Sequence, residues 1–198
     1  MPNSPKLSRA AFVLAGGKSS RMGTNKAFLE FGGETLLARA LSTLKSVCDN
    51  VVIVADPATF AASGPVIADL FPGCGPLGGI HAALQHSSAE LNLMLAVDMP
   101  FVSPELLRFL LVIAENSDAV VTLPRTDKGF QPLCAVYRRK FLETAETNLQ
   151  AGKYKIDIAF SSIPLRIIEE PELSTAGFSE KNFFNINTPE DRSAADME

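Results

Sequence analysis

Short apolar runs alternate with amphipathic stretches along the whole chain, and this alternation predicts strands that alternate with helices. The predicted strands cover residues 11–15, 51–55, 65–69, 91–98, 119–123 and 132–137. A short strand is also predicted before the Gly32-Gly33 turn, and one or two more at 165–168 and 182–185. The predicted helices begin near Glu34, Pro57, Ile80, Ser103 and Arg138, and a last one begins at Thr188. This order indicates an α/β protein, a three-layer α/β/α sandwich around a mostly parallel, Rossmann-like sheet.

Length and composition limit the class of protein further. A chain of 198 residues can bury one core, and no stretch approaches the ~20 apolar residues of a membrane span. The first residues show no secretory pattern, and the net charge of −4 argues against general nucleic-acid binding. Three cysteines without a paired spacing predict reduced thiols in a cytoplasmic protein. We expect a monomer that binds neither nucleic acid nor a membrane.

The most informative stretch runs from Ala10 to Lys26, where a glycine pair ends the first predicted strand. Gly16 and Gly17 allow close approach of a ligand to the backbone and positive φ angles. Three cations follow in the same stretch: Lys18, Arg21 and Lys26. Backbone N–H groups beside such cations form a cradle for a polyphosphate. The alternative is a surface loop that is merely basic.

Two familiar phosphate motifs do not match this stretch. A Walker A loop needs a glycine where Phe12 stands. The dinucleotide fingerprint G-x-G-x-x-G needs a glycine where Lys18 stands. The stretch is therefore a glycine-rich phosphate loop of another kind.

Polar residues also end the predicted strands that follow. The glycine loop comes after Leu14, and single aspartates end the next apolar runs: Asp56, Asp69 and Asp98. Ligands of open α/β sheets bind at the carboxyl ends of the strands. If these strands are parallel, the four groups lie on one rim of the sheet and form one site.

Two of these aspartates have chemistry that suits a nucleotide. Asp98 follows a long apolar run, so its carboxylate is costly to bury without a partner. Mg²⁺ is a suitable partner, because it takes one or two carboxylates and completes its shell with phosphate oxygens and water. Asp69 can accept the adjacent N–H and NH₂ donors of a guanine edge. The alternatives are that Asp98 caps the turn before Pro100 and that Asp69 is an ordinary residue at a strand end.

The segment GCGPLGG contains a formal dinucleotide fingerprint at Gly73, Gly75 and Gly78, with a helix after it. Two features argue against that function. Residues 70–72 separate the first glycine from the preceding strand, and Pro76 removes a backbone N–H from the loop. We favour a loop that opens onto a helix N-terminus, which itself favours anions.

Several segments together resemble the molybdenum cofactor guanylyltransferases, a branch of the nucleotidyltransferase superfamily. The stretch LAGGKSSRMGTNK is similar to the signature L-A-G-G-x-S-x-R-M-G-x-D-K, and GPLGG is similar to G-P-L-x-G. The segments VDMPF and NINTPED match D-x-P and N-x-N-T-P-E-D, and FQPLCAVY also fits. Two positions depart from the pattern. Asn25 stands where aspartate is usual, and Val54 stands where asparagine is often found.

The resemblance implies one nucleotidyltransferase domain over residues 1–198, with residues 1–9 flexible. It implies Mg²⁺-dependent transfer of GMP from GTP to the phosphate of Mo-molybdopterin, with transient contacts to molybdoenzymes or cofactor-insertion proteins. The implied catalytic residues are Lys18, Arg21, Lys26 and Asp98, with Asp98 holding the metal. The implied binding residues are Leu14, Ala15, Gly16, Gly17, Lys26, Asp69, Gly78, Asp98, Asn185 and Asn187. Gln131 would border the pterin.

Asn185 and Asn187 flank an apolar residue, so in a strand both side chains share one face. They could bind the second substrate or the outer shell of the metal. The alternative is that they cap the terminal helix.

Three other functions stay open on sequence alone. The first is the same chemistry with another base or acceptor, as in a cytidylyltransferase or another transferase that acts on a phosphorylated cofactor precursor. The second is a dinucleotide-binding oxidoreductase that uses the Gly73 loop. The third is a nucleotide sensor or cofactor carrier without activity, which the departures at Asn25 and Val54 would suit.

Overall fold

The structure is a computed structural model, and it describes residues 7–16 and 25–186. No helix within these residues is long and apolar enough to cross a membrane. The first strand, β1, spans Arg9–Leu14. This strand starts at the end of the segment 1–9 for which the sequence predicts flexibility.

An eight-stranded sheet forms the centre of the described part of the chain. Besides β1 it contains β4 (Val51–Val54), β5 (Val66–Ile67), β6 (Leu91–Ala96), β7 (Val121–Thr126), β8 (Gly129–Phe130), β9 (Cys134–Arg138) and β10 (Leu165–Ile168). The order is β10-β7-β9-β6-β1-β4-β5, with β8 paired to β7. Only β8 and β9 run antiparallel to their neighbours among these described strands, so the prediction of a mostly parallel sheet is confirmed.

Helices cover both faces of the sheet. The described ones are α1 (Leu36–Lys45), α2 (Pro57–Phe60), α3 (Pro76–His86), α4 (Pro104–Glu115), α5 (Phe141–Gln150), α6 (Ile156–Phe160) and α7 (Glu170–Thr175). Short 3-10 helices occur at Lys26–Phe28, Ala61–Ser63 and Glu180–Phe183. A small hairpin, β2 (Glu30–Phe31) and β3 (Glu34–Thr35), precedes α1.

Two hydrophobic clusters fill the space between the sheet and its two helical layers. In β1, Ala11 and Val13 belong to the cluster that includes α1 and α4, whereas Ala10 and Phe12 belong to the cluster that includes α3 and α5. This alternation follows from the period of two along a strand. The central strands are buried on both faces, as their continuous apolar runs predict.

Some predicted boundaries are wrong, for identifiable reasons. Helix α1 begins at Leu36 and not near Glu34, because Glu34 pairs in the hairpin and Thr35 caps the helix by accepting the Ala38 N–H. Helix α5 begins at Phe141, because Arg138 still belongs to β9. Helix α3 begins at Pro76, before the predicted start at Ile80.

The predicted strand at 182–185 is also wrong. Residues Glu180–Phe183 form a 3-10 turn, in which the Ser179 side chain and the Asn182 side chain cap each other's backbone N–H groups. The capped start of α4 at Ser103 and the strand at 165–168 are confirmed. The last helix, predicted from Thr188, lies outside the described residues.

Candidate functional site

The carboxyl ends of β1, β4, β5 and β6 meet at one rim of the sheet, because these four strands are mutually parallel. A cavity of about 870 Å³ opens at this rim. Its wall includes residues that follow each of these strands: Gly16, Asp56, Asp69 and Asp98. The convergence of strand ends that the sequence predicts is therefore present in the structure.

Lys26 and Asp98 lie next to each other in the wall of this cavity. The Lys26 Nζ lies 3.7 Å from Asp98 Oδ2, and both side chains are only 22–23% exposed. Burial raises the pKa of the Asp98 carboxyl above its ordinary value, and the nearby Lys26 charge opposes that rise. The site thus holds a partly dehydrated carboxylate beside the Lys26 ammonium.

The backbone around Lys26 explains how Asn25 is used. Asn25 Oδ1 accepts the Ala27 N–H at 3.1 Å and caps the 3-10 helix that begins at Lys26. A carboxylate oxygen could accept the same bond, so the amide preserves the cap without the charge. Asn25 also lines the cavity, and its position fixes the point from which the Lys26 side chain starts.

The first strand ends in backbone that is tied to its neighbours. The N–H groups of Ala15 and Gly16 both donate to the Val54 carbonyl at 3.1 Å, and the Leu14 carbonyl accepts the Val97 N–H at 3.2 Å. These two amides are therefore engaged within the sheet. Gly16 does not adopt the positive φ that glycine allows, and a Cβ there would meet only ordinary contacts with Val54 and Ala55.

Asp69 is held by the loop that follows it. Its Oδ1 accepts the Phe71 N–H at 2.8 Å. A Cβ at Gly78 would lie 2.9 Å from both Asp69 carboxylate oxygens and from the Phe71 carbonyl. Gly78 therefore makes room for the Asp69 loop, whereas its neighbour Gly79 lines the cavity.

The other strand-end aspartate, Asp56, has a structural task. It caps α2, with Oδ1 accepting the Ala58 N–H at 3.1 Å and Oδ2 accepting the Thr59 hydroxyl at 2.8 Å. Val54 and Asp56 both line the cavity. The polar atoms of Asp56 are already bonded to its own helix.

The loop between β5 and α3 does not have the geometry of a dinucleotide fingerprint. Strand β5 ends at Ile67, so Gly73 does not close a strand. The positive φ angles lie at Gly73 (85°) and Gly75 (69°), where only glycine is unstrained. Gly75 is the N-cap of α3, and both residues line the cavity together with Pro76. The N-terminus of α3 therefore opens toward the cavity.

The remaining predicted site residues are placed as follows. Asn185 is exposed, and the next amide, Ile186 N–H, donates to the Asp98 carbonyl at 2.9 Å. The Gln131 side chain donates to the Thr126 hydroxyl at 3.0 Å. Four predicted residues lie outside the described part of the chain: Gly17, Lys18, Arg21 and Asn187.

The cavity-lining residues that sequence reasoning missed include Gly79 and Leu133. Gly79 comes from the same segment as the predicted Gly78, one position farther along α3. Leu133 precedes β9, which runs antiparallel to β6, so its start lies beside the end of β6. Recognising β9 as the antiparallel strand would have placed Leu133 at the rim.

The residues around Asp98 suit a hard divalent cation that arrives with a phosphate ligand. Among the described residues, no group of three His, Cys, Asp or Glu side chains could hold a metal alone. Mg²⁺ needs only one or two protein carboxylates when phosphate oxygens and water complete its octahedron. The partly buried Asp98 carboxylate, which lines the cavity with the Lys26 Nζ at 3.7 Å, could supply one such ligand.

Comparison with known proteins gives a consistent result. The family model described as "MobA-like NTP transferase domain" matches residues 11–159. A molybdenum cofactor guanylyltransferase of Desulfosudis oleivorans is 38% identical, covering 93% of this chain and 92% of the relative. A probable enzyme of the same name from Pelotomaculum thermopropionicum is 37% identical, covering 93% and 90%.

A solved structure supports the same relationship. The crystal structure of molybdopterin-guanine dinucleotide biosynthesis protein A from Archaeoglobus fulgidus superposes with a TM-score of 0.83 at 29% identity. The match covers 96% of this chain and 97% of that one.

Proposed function

The chain belongs to the family of MobA-like NTP transferase domains, and we propose that it transfers GMP from GTP to the phosphate of Mo-molybdopterin, releasing pyrophosphate. The observation that carries the proposal is the Lys26–Asp98 pair, which faces a cavity where four parallel strands end. The curated relatives named as guanylyltransferases favour guanine over cytosine as the base.

The reaction needs positioning and charge stabilisation more than covalent help from the protein. A phosphate oxygen of the pterin attacks the α-phosphorus of GTP in line. The new P–O bond forms while the bond to the β-phosphate bridging oxygen breaks, and pyrophosphate leaves with the negative charge. Lys26 would hold the triphosphate and stabilise this charge. Asp98 would hold the divalent cation that NTP transferases generally use, which we take to be Mg²⁺; when bound, Mg²⁺ neutralises phosphate charge.

The base would lie near the ends of β4 and β5. Asp69 lines this part of the cavity, and the bond to Phe71 N–H together with Gly78 fixes its carboxylate. A fixed carboxylate can accept two adjacent donors of guanine, whereas cytosine presents no such pair. Leu14, Ala15 and Gly16 would seat the nucleotide by contact, because the amides of Ala15 and Gly16 are engaged with Val54.

The groups that donate hydrogen bonds to the triphosphate would then come from the chain after Gly16, where Gly17, Lys18 and Arg21 follow. Asn185 and Asn187 would bind the pterin side or the outer shell of the metal, near the Asp98 carbonyl that Ile186 contacts. Delivery of the product would involve transient contact with molybdoenzymes or cofactor-insertion proteins.

Nucleotide binding by calorimetry tests the proposal directly. GTP, CTP and NADH are compared with and without Mg²⁺ for the natural chain, for Asp98→Ala and for the control Asp118→Ala. The control removes an exposed carboxylate outside the cavity. We expect GTP to bind most tightly, to gain affinity from Mg²⁺, and to lose that gain only in Asp98→Ala. A preference for CTP would assign another base, and binding of NADH alone would refute the proposal.

A further inference from the structure

Asp98 lies on a turn that has weak internal bonds. The last sheet bond before it is the Val97 N–H to the Leu14 carbonyl, at 3.2 Å. Within the turn, the Met99 N–H and the Val102 N–H reach their acceptors, the Ala96 and Met99 carbonyls, only at 3.4 Å. Bonds of this length are near the limit of hydrogen bonding. The turn therefore needs support from elsewhere to hold the Asp98 carboxylate in one place.

That support comes from the segment 179–186, more than eighty residues later in the chain. The Ile186 N–H donates to the Asp98 carbonyl at 2.9 Å. The Asn182 Nδ2 donates to the Phe101 carbonyl at 3.1 Å. These two bonds hold both ends of the turn, and both are shorter than the bonds inside it.

Asn182 joins two structures with one side chain. Its Oδ1 accepts the Ser179 N–H at 2.9 Å and so caps the 3-10 helix Glu180–Phe183, while its Nδ2 donates to the Phe101 carbonyl. The partners fix the orientation of the amide, because a backbone N–H only donates and a carbonyl only accepts. The Lys181 ammonium, 5.4 Å from the centre of the Phe101 ring, adds a second contact to the same residue.

The segment has its own anchors besides Asn182. Phe183 is 4% exposed and Ile186 is 1% exposed, and both belong to the core cluster that contains α1 and α4. These side chains would keep the segment docked if the Asn182–Phe101 bond were lost. The bond to Phe101 is therefore available to set the position of the turn rather than to hold the fold.

We propose that Asn182 is a positioning residue for Asp98: by bonding the Phe101 carbonyl, it fixes the turn that presents the metal-binding carboxylate. The inference rests on the proposed function, since it concerns how Asp98 meets a divalent cation. Groups that orient metal ligands commonly change metal affinity by about 10- to 100-fold when they are removed. Asn182 would act through Asp98 and would not touch the nucleotide.

The substitution Asn182→Asp separates the two tasks of this side chain. Aspartate keeps the oxygen that accepts the Ser179 N–H but replaces the donor to Phe101 with a second acceptor. Mn²⁺ binding is measured by electron paramagnetic resonance in the presence of a non-hydrolysable GTP analogue. We expect the Mn²⁺ dissociation constant to rise about tenfold, while binding of the analogue without metal stays unchanged. The added negative charge alone would tighten cation binding, so weaker binding reports the lost position of the turn.

Two variants serve as controls. Asn148→Asp makes the same change where the amide bonds only its own helix, at the Thr144 carbonyl, and it should leave Mn²⁺ affinity unchanged. Ser179→Ala removes the side-chain cap of the 3-10 helix Glu180–Phe183 but keeps the bond from Asn182 to Phe101, so it measures any effect of loosening that 3-10 helix alone. If either control weakens Mn²⁺ binding as much as Asn182→Asp does, the proposed role is wrong.

Hydrogen exchange of the metal-free protein gives a second readout. Asn182→Asp should speed the exchange of amides at 99–102 and leave α3 and α5 unchanged. Unchanged exchange and unchanged Mn²⁺ affinity in this variant, with metal binding intact in the natural chain, would overturn the role of Asn182 alone. A natural chain that binds no Mn²⁺ with the nucleotide analogue would instead overturn the proposed function.

Discussion

Two adjacent glycines of α3 give opposite predictions for one added methyl group. At Gly79, a Cβ would lie 3.6 Å from Leu14 Cδ2 and 3.8 Å from Val54 Cγ1, which is ordinary van der Waals contact. At Gly78, a Cβ would lie 2.9 Å from both Asp69 carboxylate oxygens and from the Phe71 carbonyl. The first substitution fits the structure, whereas the second forces the Asp69 loop to move.

The magnitudes follow from these distances. Alanine in place of a helical glycine gains up to about 1 kcal/mol, so Gly79→Ala should raise the melting temperature by about 2–4 °C in a chain of this size. Gly78→Ala has the same gain, but overpacking of this kind costs about 1–3 kcal/mol. The net result for Gly78→Ala is a free energy of unfolding lowered by roughly 0–2 kcal/mol.

The functional consequence is read from base selectivity. Calorimetry compares the affinity for GTP with that for ITP, which lacks the exocyclic NH₂ group that would donate a hydrogen bond to Asp69. Loss of a hydrogen bond to a charged group is worth about 1.5–3 kcal/mol, so a displaced Asp69 should reduce the preference for GTP at least several-fold in Gly78→Ala. Thermal unfolding of Gly79→Ala provides the matched control for stability. If Gly78→Ala is stabilised like Gly79→Ala and keeps the full preference for GTP, the packing argument for Asp69 is wrong.

Three further predictions concern charged groups. Burial raises the Asp98 pKa, so the folded state binds this proton more tightly than the unfolded state does, and stability falls as pH rises through that pKa. At pH 7 and without metal, the melting temperature of Asp98→Asn should therefore match or exceed that of the natural chain. This advantage should vanish near pH 3. Lys26→Met should lower kcat/KM by about 10- to 100-fold, because it removes one charged hydrogen bond to the triphosphate. An unchanged kcat/KM in steady-state kinetics would show that Lys26 is not part of the site. His81 is 3% exposed, and neither of its ring nitrogens has a hydrogen-bond partner among the described residues. Burial lowers the pKa of His81 despite Glu146 and Asp69, so stability should fall as pH drops below 6.5. Thermal scans should show a smaller fall in His81→Leu but not in His86→Leu, which changes an exposed histidine.

Strand positions and the shared rim could be predicted because they depend on local pattern. The run at 51–55 is apolar throughout, the run at 91–97 is apolar except for Asn92, and an aspartate follows each of them. Such runs are typical of strands covered on both faces. Parallel pairing then brings Asp56, Asp69 and Asp98 to the same cavity. The capped start of α4 at Ser103 was equally readable, since its serine and proline have local roles.

Features that depend on distant contacts could not be read from the sequence. The fold of residues 180–183 follows from the Ser179–Asn182 caps and from a bond to Phe101, which no local periodicity reveals. Gly78 packs against the Asp69 loop whereas Gly79 lines the cavity, and this difference depends on where the loop places Asp69. The hairpin before α1 is local by contrast, and the sequence predicts its first strand and its glycine turn. The pairing of Glu34 with Phe31, which delays the start of α1, was not predicted.

The most direct test of the central claim is guanylyl transfer itself. The purified protein is incubated with Mg²⁺, Mo-molybdopterin and α-labelled GTP, and both the labelled dinucleotide product and released pyrophosphate are measured, with α-labelled CTP in parallel. We predict one pyrophosphate for each GMP transferred, dependence on Mo-molybdopterin, and no transfer by Asp98→Ala. GTP binding without transfer to Mo-molybdopterin, or transfer that survives in Asp98→Ala, would contradict the account.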